Sequence, residues 1–131
     1  MKTNEFLKKL FLLIIMVYSI TSFSSCKKDE PQQSKEITYD LSGDFGKTVS
    51  VKYTPTGGTL ADAEETVTLP WRKVVVPNSK NASVGLIVTG QAGKPGSITT
   101  AKILVNGVEE RTVVMLADAN GNFVININYF F

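Results

Sequence analysis

The chain has 131 residues, 43% of them hydrophobic and 20% charged, a composition suited to one small globular domain. Its formal charge of +2 resides in the first 25 residues, where Lys2, Lys8 and Lys9 oppose only Glu5; from Cys26 onward acidic and basic residues balance. A balanced domain lacks the clustered positive charge that phosphate backbones require, so nucleic acid is set aside as a partner.

Residues 1–25 read as an export signal. A basic stretch ends at Lys8-Lys9, an apolar run extends from Leu10 to Ile20, and the small polar residues Thr21 and Ser22 follow. The run is far shorter than the roughly 20 residues a helix needs to cross a bilayer, which makes it a signal core rather than a retained anchor. Phe23-Ser24-Ser25-Cys26 resembles a lipobox, the site at which bacterial lipoprotein signal peptidase cuts once the cysteine is acylated, although Phe23 departs from the usual Leu or Val. Cys26 is the chain's one cysteine, it directly follows the apolar run, and it precedes a charged segment that could not bury it. The expectation is a lipid-attached Cys26 that ties the protein to a membrane of the cell envelope.

Residues 26–35 form a tether. Lys27-Lys28-Asp29-Glu30-Pro31 resembles the charged segment of Bacteroidetes-type outer-membrane lipoproteins, in which acidic residues after the cysteine favour surface display. Two lysines come first here, and Pro31-Gln32-Gln33-Ser34-Lys35 suits a plain flexible spacer, so surface-exposed and periplasm-facing placements both stay open.

From residue 36 to 131 the texture changes to short runs of Val, Ile, Thr and Tyr punctuated by Gly, Pro and Asn, the pattern of an all-β domain. Val49, Val51 and Tyr53 alternate with polar neighbours, as a half-buried strand requires. Val67, Leu69 and Trp71 repeat the pattern, as do Ala82, Val84, Leu86 and Val88, and finally Phe123, Ile125, Ile127 and Tyr129. Breaks at Gly43, Pro55 with Gly57-Gly58, Pro77-Asn78, Gly90 to Gly96, Asn106-Gly107 and Asn120-Gly121 delimit seven or eight strands. That spacing predicts an antiparallel immunoglobulin-like β-sandwich almost free of helix. Asn106-Gly107 is a strong hairpin signal. A strict two-residue turn there would oppose Lys102 to Arg111 and Ile103 to Glu110, which predicts either a bulge or an edge strand with little burial over Val108 to Thr112.

Leu69-Pro70-Trp71, the strand Ala82 to Gly90, and Ile103-Leu104-Val105-Asn106-Gly107-Val108 occur in an order that resembles the MmpS-type small membrane proteins, and short Bacteroidetes-type lipoproteins look similar. The resemblance spans about Tyr39 to Tyr129. It implies a β-sandwich held at a membrane and an accessory, non-catalytic role beside a lipid or siderophore exporter. The family's domain disulfide cannot form here, because Ala101 stands where the family carries a cysteine.

Trp71 admits two roles. As a core anchor, it shares a face with Val67 and Leu69 and meets the stripe of the last strand across the sandwich; as a binding platform, it would stand exposed beside Arg72 and Lys73. The core role is favoured, Pro70 marking the start of its strand and Arg72-Lys73 a solvated patch. No catalytic residues are assigned: the chain has no histidine, and adjacent carboxylates at Glu64-Glu65 and Glu109-Glu110 point to opposite strand faces. No metal or cofactor site is expected either, Asp118 to Asn122 being a turn too short and acid-poor for a calcium loop. Asn81-Ala82-Ser83 is a glycosylation sequon that an exported bacterial protein would not use. The expected function is a structural or protein-interaction module with an envelope protein partner. The alternative is a small-ligand binder, for lipid, siderophore or glycan, serving an envelope transporter.

Overall fold

The computed structural model describes residues 34–131. The signal segment and Cys26 lie outside the described residues. Eight strands form: β1 (Ile37–Gly43), β2 (Val49–Tyr53), β3 (Ala63–Val67), β4 (Trp71–Val75), β5 (Ser83–Gly90), β6 (Ile98–Val105), β7 (Val108–Leu116) and β8 (Phe123–Phe130). They build two antiparallel four-stranded sheets, ordered β4-β1-β6-β7 and β3-β2-β5-β8. The layer architecture is immunoglobulin-like, with the eight strands shared four and four. Its order within the sheets differs from the A-B-E-D and C-F-G arrangement of constant domains.

Alternation decides which residues fill the space between the sheets. Ile37, Tyr39 and Leu41 of β1, Val49 and Val51 of β2, Val84, Leu86 and Val88 of β5, Ala101 and Ile103 of β6, and Phe123, Ile125 and Ile127 of β8 are all buried. The clean period-two runs of the sequence are therefore the core. β5 is central in its sheet, and Gly85 on its outer side is buried as well, because an added Cβ would stand 3.1 Å from Asn128 Oδ1 of β8.

The Asn106-Gly107 hairpin carries both features anticipated for it. β7 is an edge strand, and the register slips between Ile103 and Leu104: Ile103 opposes Arg111, while Leu104 opposes Glu109, which leaves Glu110 as the extra residue of a bulge. The slip sets Lys102 opposite Thr112 and brings its ammonium 2.7 Å from Glu109, replacing the like-charge opposition of a strict turn with an attraction.

One corner was not visible in the sequence. Val67, Leu69 and Trp71 do not share a strand: β3 ends at Val67 in one sheet and β4 begins at Trp71 in the other, with the crossover at Leu69-Pro70. A chain crossing between facing sheets keeps its inward residues inward, so the alternation runs unbroken through the corner. Trp71 consequently sits on an edge strand, half-buried at the margin of the core, and the centre is filled by Tyr39, Leu41, Leu86, Ile103 and Ile125.

The two ends of the sandwich differ in construction. At the end where β1 finishes, Phe45 and Phe123 meet edge-to-face with ring centroids 4.9 Å apart. The loops there bind each other, Gly93 N–H donating to Gly121 O at 2.9 Å and Lys94 N–H to Phe45 O at 3.2 Å. Gly121 has φ of +73°, and an added Cβ would stand 2.1 Å from the Gly93 carbonyl oxygen, so only glycine lets the two loops close. At the opposite end β1, β3, β5 and β7 begin and β2, β4, β6 and β8 finish.

Candidate functional site

Two sides of the sandwich carry chemistry of opposite kinds. The β3/β4 side is short and charged. Glu65 on β3 and Lys73 on β4 both turn inward along the rim, where Lys73 Nζ lies 2.7 Å from Glu65 Oε1 and the Tyr53 hydroxyl donates to the same oxygen at 2.5 Å. Lys73 is thus not part of a solvated patch with Arg72. Strand alternation sends Arg72 outward to Asp40, 3.0 Å away, and Lys73 to Glu65.

Trp71 packs on Tyr53, ring centroids 5.7 Å apart, and Tyr53 on Tyr39 at 5.5 Å. The aromatic series runs from the half-buried margin into the interior. Tyr39, fully buried, donates its hydroxyl proton to Thr54 O at 3.1 Å. Burial pushes its phenol up to about 12.

The electrostatics of the rim hold each group in its resting state. The Lys73 ammonium, followed by the Tyr53 hydroxyl, draws the Glu65 carboxyl below its ordinary value. Hydrogen bonding to Glu65 raises Lys73, and burial raises the Tyr53 phenol. Acid–base work at neutral pH needs groups shifted towards neutrality. These are shifted away from it, so the cluster acts as a clasp between the two sheets. Glu64, one residue before Glu65, faces outward and accepts from Ser50 Oγ at 2.9 Å, with Lys52 at 3.4 Å. Both acidic residues of that pair point to opposite faces, as the strand period requires.

The β7/β8 side is longer; it is charged at Glu109, Glu110 and Arg111 but apolar from Val113 to Leu116 and free of charge along β8. β7 and β8 have nine and eight residues, and among the described residues each pairs along one edge only. On the outer face of the β7 sheet, Val114 is 54% and Leu116 60% exposed, and Ile98 stands directly opposite Leu116. A stripe of Arg72, Asp40 and Lys102 separates this patch from Val74 and Leu104 on the same face. On the outer face of the other sheet β8 presents Val124, Asn126, Asn128 and Phe130.

Between the sheets the inward side chains pack into one buried core. The depressions are open ones at the surface. One, of about 620 Å³, lies between residues Thr89 to Ala92 and Asp118, Asn122 and Phe123. Asp118 there is spent on its own turn: Oδ1 accepts from Asn120 N–H at 2.9 Å and Asn122 N–H at 2.8 Å, while Asn122 Oδ1 accepts from Ala92 N–H at 3.0 Å. Among the described residues no group of three or more acidic, histidine or cysteine side chains converges on one point.

The apolar β7 patch could have been read from the sequence. Ile98, Val114 and Leu116 are the polar-phase positions of strands whose alternate residues form the core, and apolar residues in that phase signal a face with further use. The rim cluster could not, since Tyr53, Glu65 and Lys73 come from three strands in two sheets. The sequence matches no known family model and no characterised protein.

Proposed function

We propose that the protein is an envelope lipoprotein, tied to a membrane through a lipidated Cys26, whose β-sandwich is a non-catalytic protein-interaction module. The observation that carries the interaction half is the β7 edge: nine residues with one unpaired side, flanked by exposed Val114 and Leu116. An unpaired edge accepts a further strand, with main-chain bonds giving affinity and adjacent apolar side chains giving selectivity. The charged and shorter β3 and β4 edges oppose such addition, and on β7 the bulge with Glu109, Glu110 and Arg111 confines it to the stretch from Thr112 to Leu116. The filled interior favours this reading over a ligand held between the sheets. The Cys26 half rests on the lipobox-like sequence and the short apolar run before it.

A photoactivatable amino acid placed at Leu116 tests the edge. In intact envelopes it should crosslink one defined protein, and the same probe at Glu64, on the charged side, should not. Equal crosslinking from both positions, or from neither, would count against β7 as the partner surface.

A further inference from the structure

We propose that the end of the sandwich from which the N-terminal segment leaves is a lipid-docking surface, seated in the head-group region of the membrane that holds Cys26. The proposal rests on the anchor reading above and adds the orientation of the domain and the surface that meets lipid.

Three observations point to this end. The first is exposure. Leu60 and Phe130, exposed 71% and 70%, both lie here, together with Val76, Val108 and Phe131. These residues belong to separate segments that hydrogen bonds draw together: Gly57 N–H donates to Val76 O at 3.0 Å, Asn78 N–H to Gly58 O at 3.3 Å, and Phe131 N–H to Ala82 O at 2.9 Å. The loops of the opposite end bury Phe45 and Ala117, and the exposed Ile98 and Leu116 there lie on the outer face of one sheet. An apolar side chain at the tip of a loop cannot be hidden by its own domain, so its cost in water is relieved only by something outside.

The second is the chain path. Glu36 N–H is held by Asn106 Oδ1 at 2.9 Å, which fixes the start of the domain beside the β6–β7 turn, at this end. Cys26 precedes Ser34 by eight positions, and a fully extended chain of that length reaches at most about 28 Å. The acylated cysteine therefore keeps this end within a short distance of the bilayer, and the apolar tips are the part of the domain that reaches it first.

The third is the charge. Lys35 places its ammonium 4.3 Å from the centre of the Phe131 ring, a cation over an aromatic face that suits a head-group boundary, where the ring turns to the acyl side and the amine to water. Lys35 and Lys80 are offset by Glu36 and Asp62 at the same end, while beside Val108 Glu109 is paired with Lys102 and Glu110 is followed by Arg111. Docking is accordingly driven by insertion of side chains, with little attraction to anionic lipid, and varies little with salt.

The test uses the full mature lipoprotein reconstituted into phosphatidylethanolamine–phosphatidylglycerol vesicles. Single cysteines Phe130→Cys, Lys80→Cys and Leu116→Cys carry a nitroxide label; Lys80→Cys leaves every apolar member of the end in place. Collision with molecular oxygen is compared with collision with a water-soluble nickel chelate. Labels at 130 and 80 should lose nickel accessibility several-fold relative to 116, and the label at 130 should gain oxygen. Equal nickel accessibility at all three positions in vesicle-bound, acylated protein would overturn the docking and leave the anchor standing. Spin–spin broadening at 130 that disappears on dilution with unlabelled protein would assign the surface to a second copy, overturning the lipid assignment. A chain recovered free of vesicles with an unmodified Cys26 would refute the anchor, and with it the docking.

Discussion

Raising the pH should expose how deeply Tyr39 is committed to the interior. Its ring is fully buried, and its phenol is pushed to about 12 by that burial, against an ordinary value of 10.0. Below pH 10 both the folded and unfolded chains keep the proton, and the stabilisation is fully present. Between pH 10 and 12 the unfolded chain releases it while the folded chain does not, so stability falls as pH rises through that window. A difference of two units amounts to about 3 kcal/mol, a large share of the roughly 5–10 kcal/mol expected for a domain of this size. Tyr39→Phe removes the titration. It also leaves Thr54 O without its hydroxyl donor, at a cost near neutrality of about 1 kcal/mol. Urea unfolding at pH 8, 10 and 11.5 separates the two effects. The wild type should start about 1 kcal/mol more stable and lose about 2 kcal/mol more than the variant by pH 11.5, so the two stability curves cross between pH 10 and 11.5. Parallel alkaline losses in both would refute the assignment, since lysine and Tyr53 titration, common to both proteins, would then account for the whole effect.

Three further substitutions probe other parts of the structure. Trp71→Ala should cost about 2 kcal/mol, less than the roughly 3–5 kcal/mol of a fully buried tryptophan, because the ring is half-buried against Tyr53; its fluorescence should be partly quenched by acrylamide, and complete protection or free quenching would contradict that placement. Thr99→Val should stabilise the domain by about 1 kcal/mol in thermal unfolding, because the buried Thr99 hydroxyl has no hydrogen-bond partner among the described residues; a destabilised variant would mean the hydroxyl is satisfied. Gly121→Ala should lower stability by at least about 2 kcal/mol, since its Cβ would strike the Gly93 carbonyl, and an unchanged melting temperature would show that the two loops do not meet.

The legible part of the fold was the part that depends on nearest neighbours in sequence. Val49, Val51, Tyr53 and the stripe from Phe123 to Ile127 alternate because each strand has one face on the core, and that phase is visible residue by residue. The β6–β7 bulge was legible for a similar reason: the charges that a regular turn would misplace lie within ten positions of one another. Sheet membership was not legible. The crossover at Leu69-Pro70 preserves inward phase, so Val67 and Trp71 look like one strand until their partners are known, Val49 for the first and Leu41 for the second. Lys73, partly exposed at the rim, hid its ion-pair partner on the same ground. Its neighbour Arg72 shares its charge but faces the other way, and the carboxylate that claims Lys73 belongs to the opposite sheet. The proposed lipid attachment rests on residues 23–26, whose signal lies wholly in sequence order and not in any packing of the domain.

Mass spectrometry of the mature N-terminus from purified membranes decides whether Cys26 anchors the protein. A lipoprotein yields a terminal peptide that begins at Cys26 and carries a thioether-linked diacylglyceryl group, and Cys26→Ala should abolish both the processing and the lipid. A membrane-derived chain that retains Met1, or begins elsewhere with Cys26 unmodified, would contradict it.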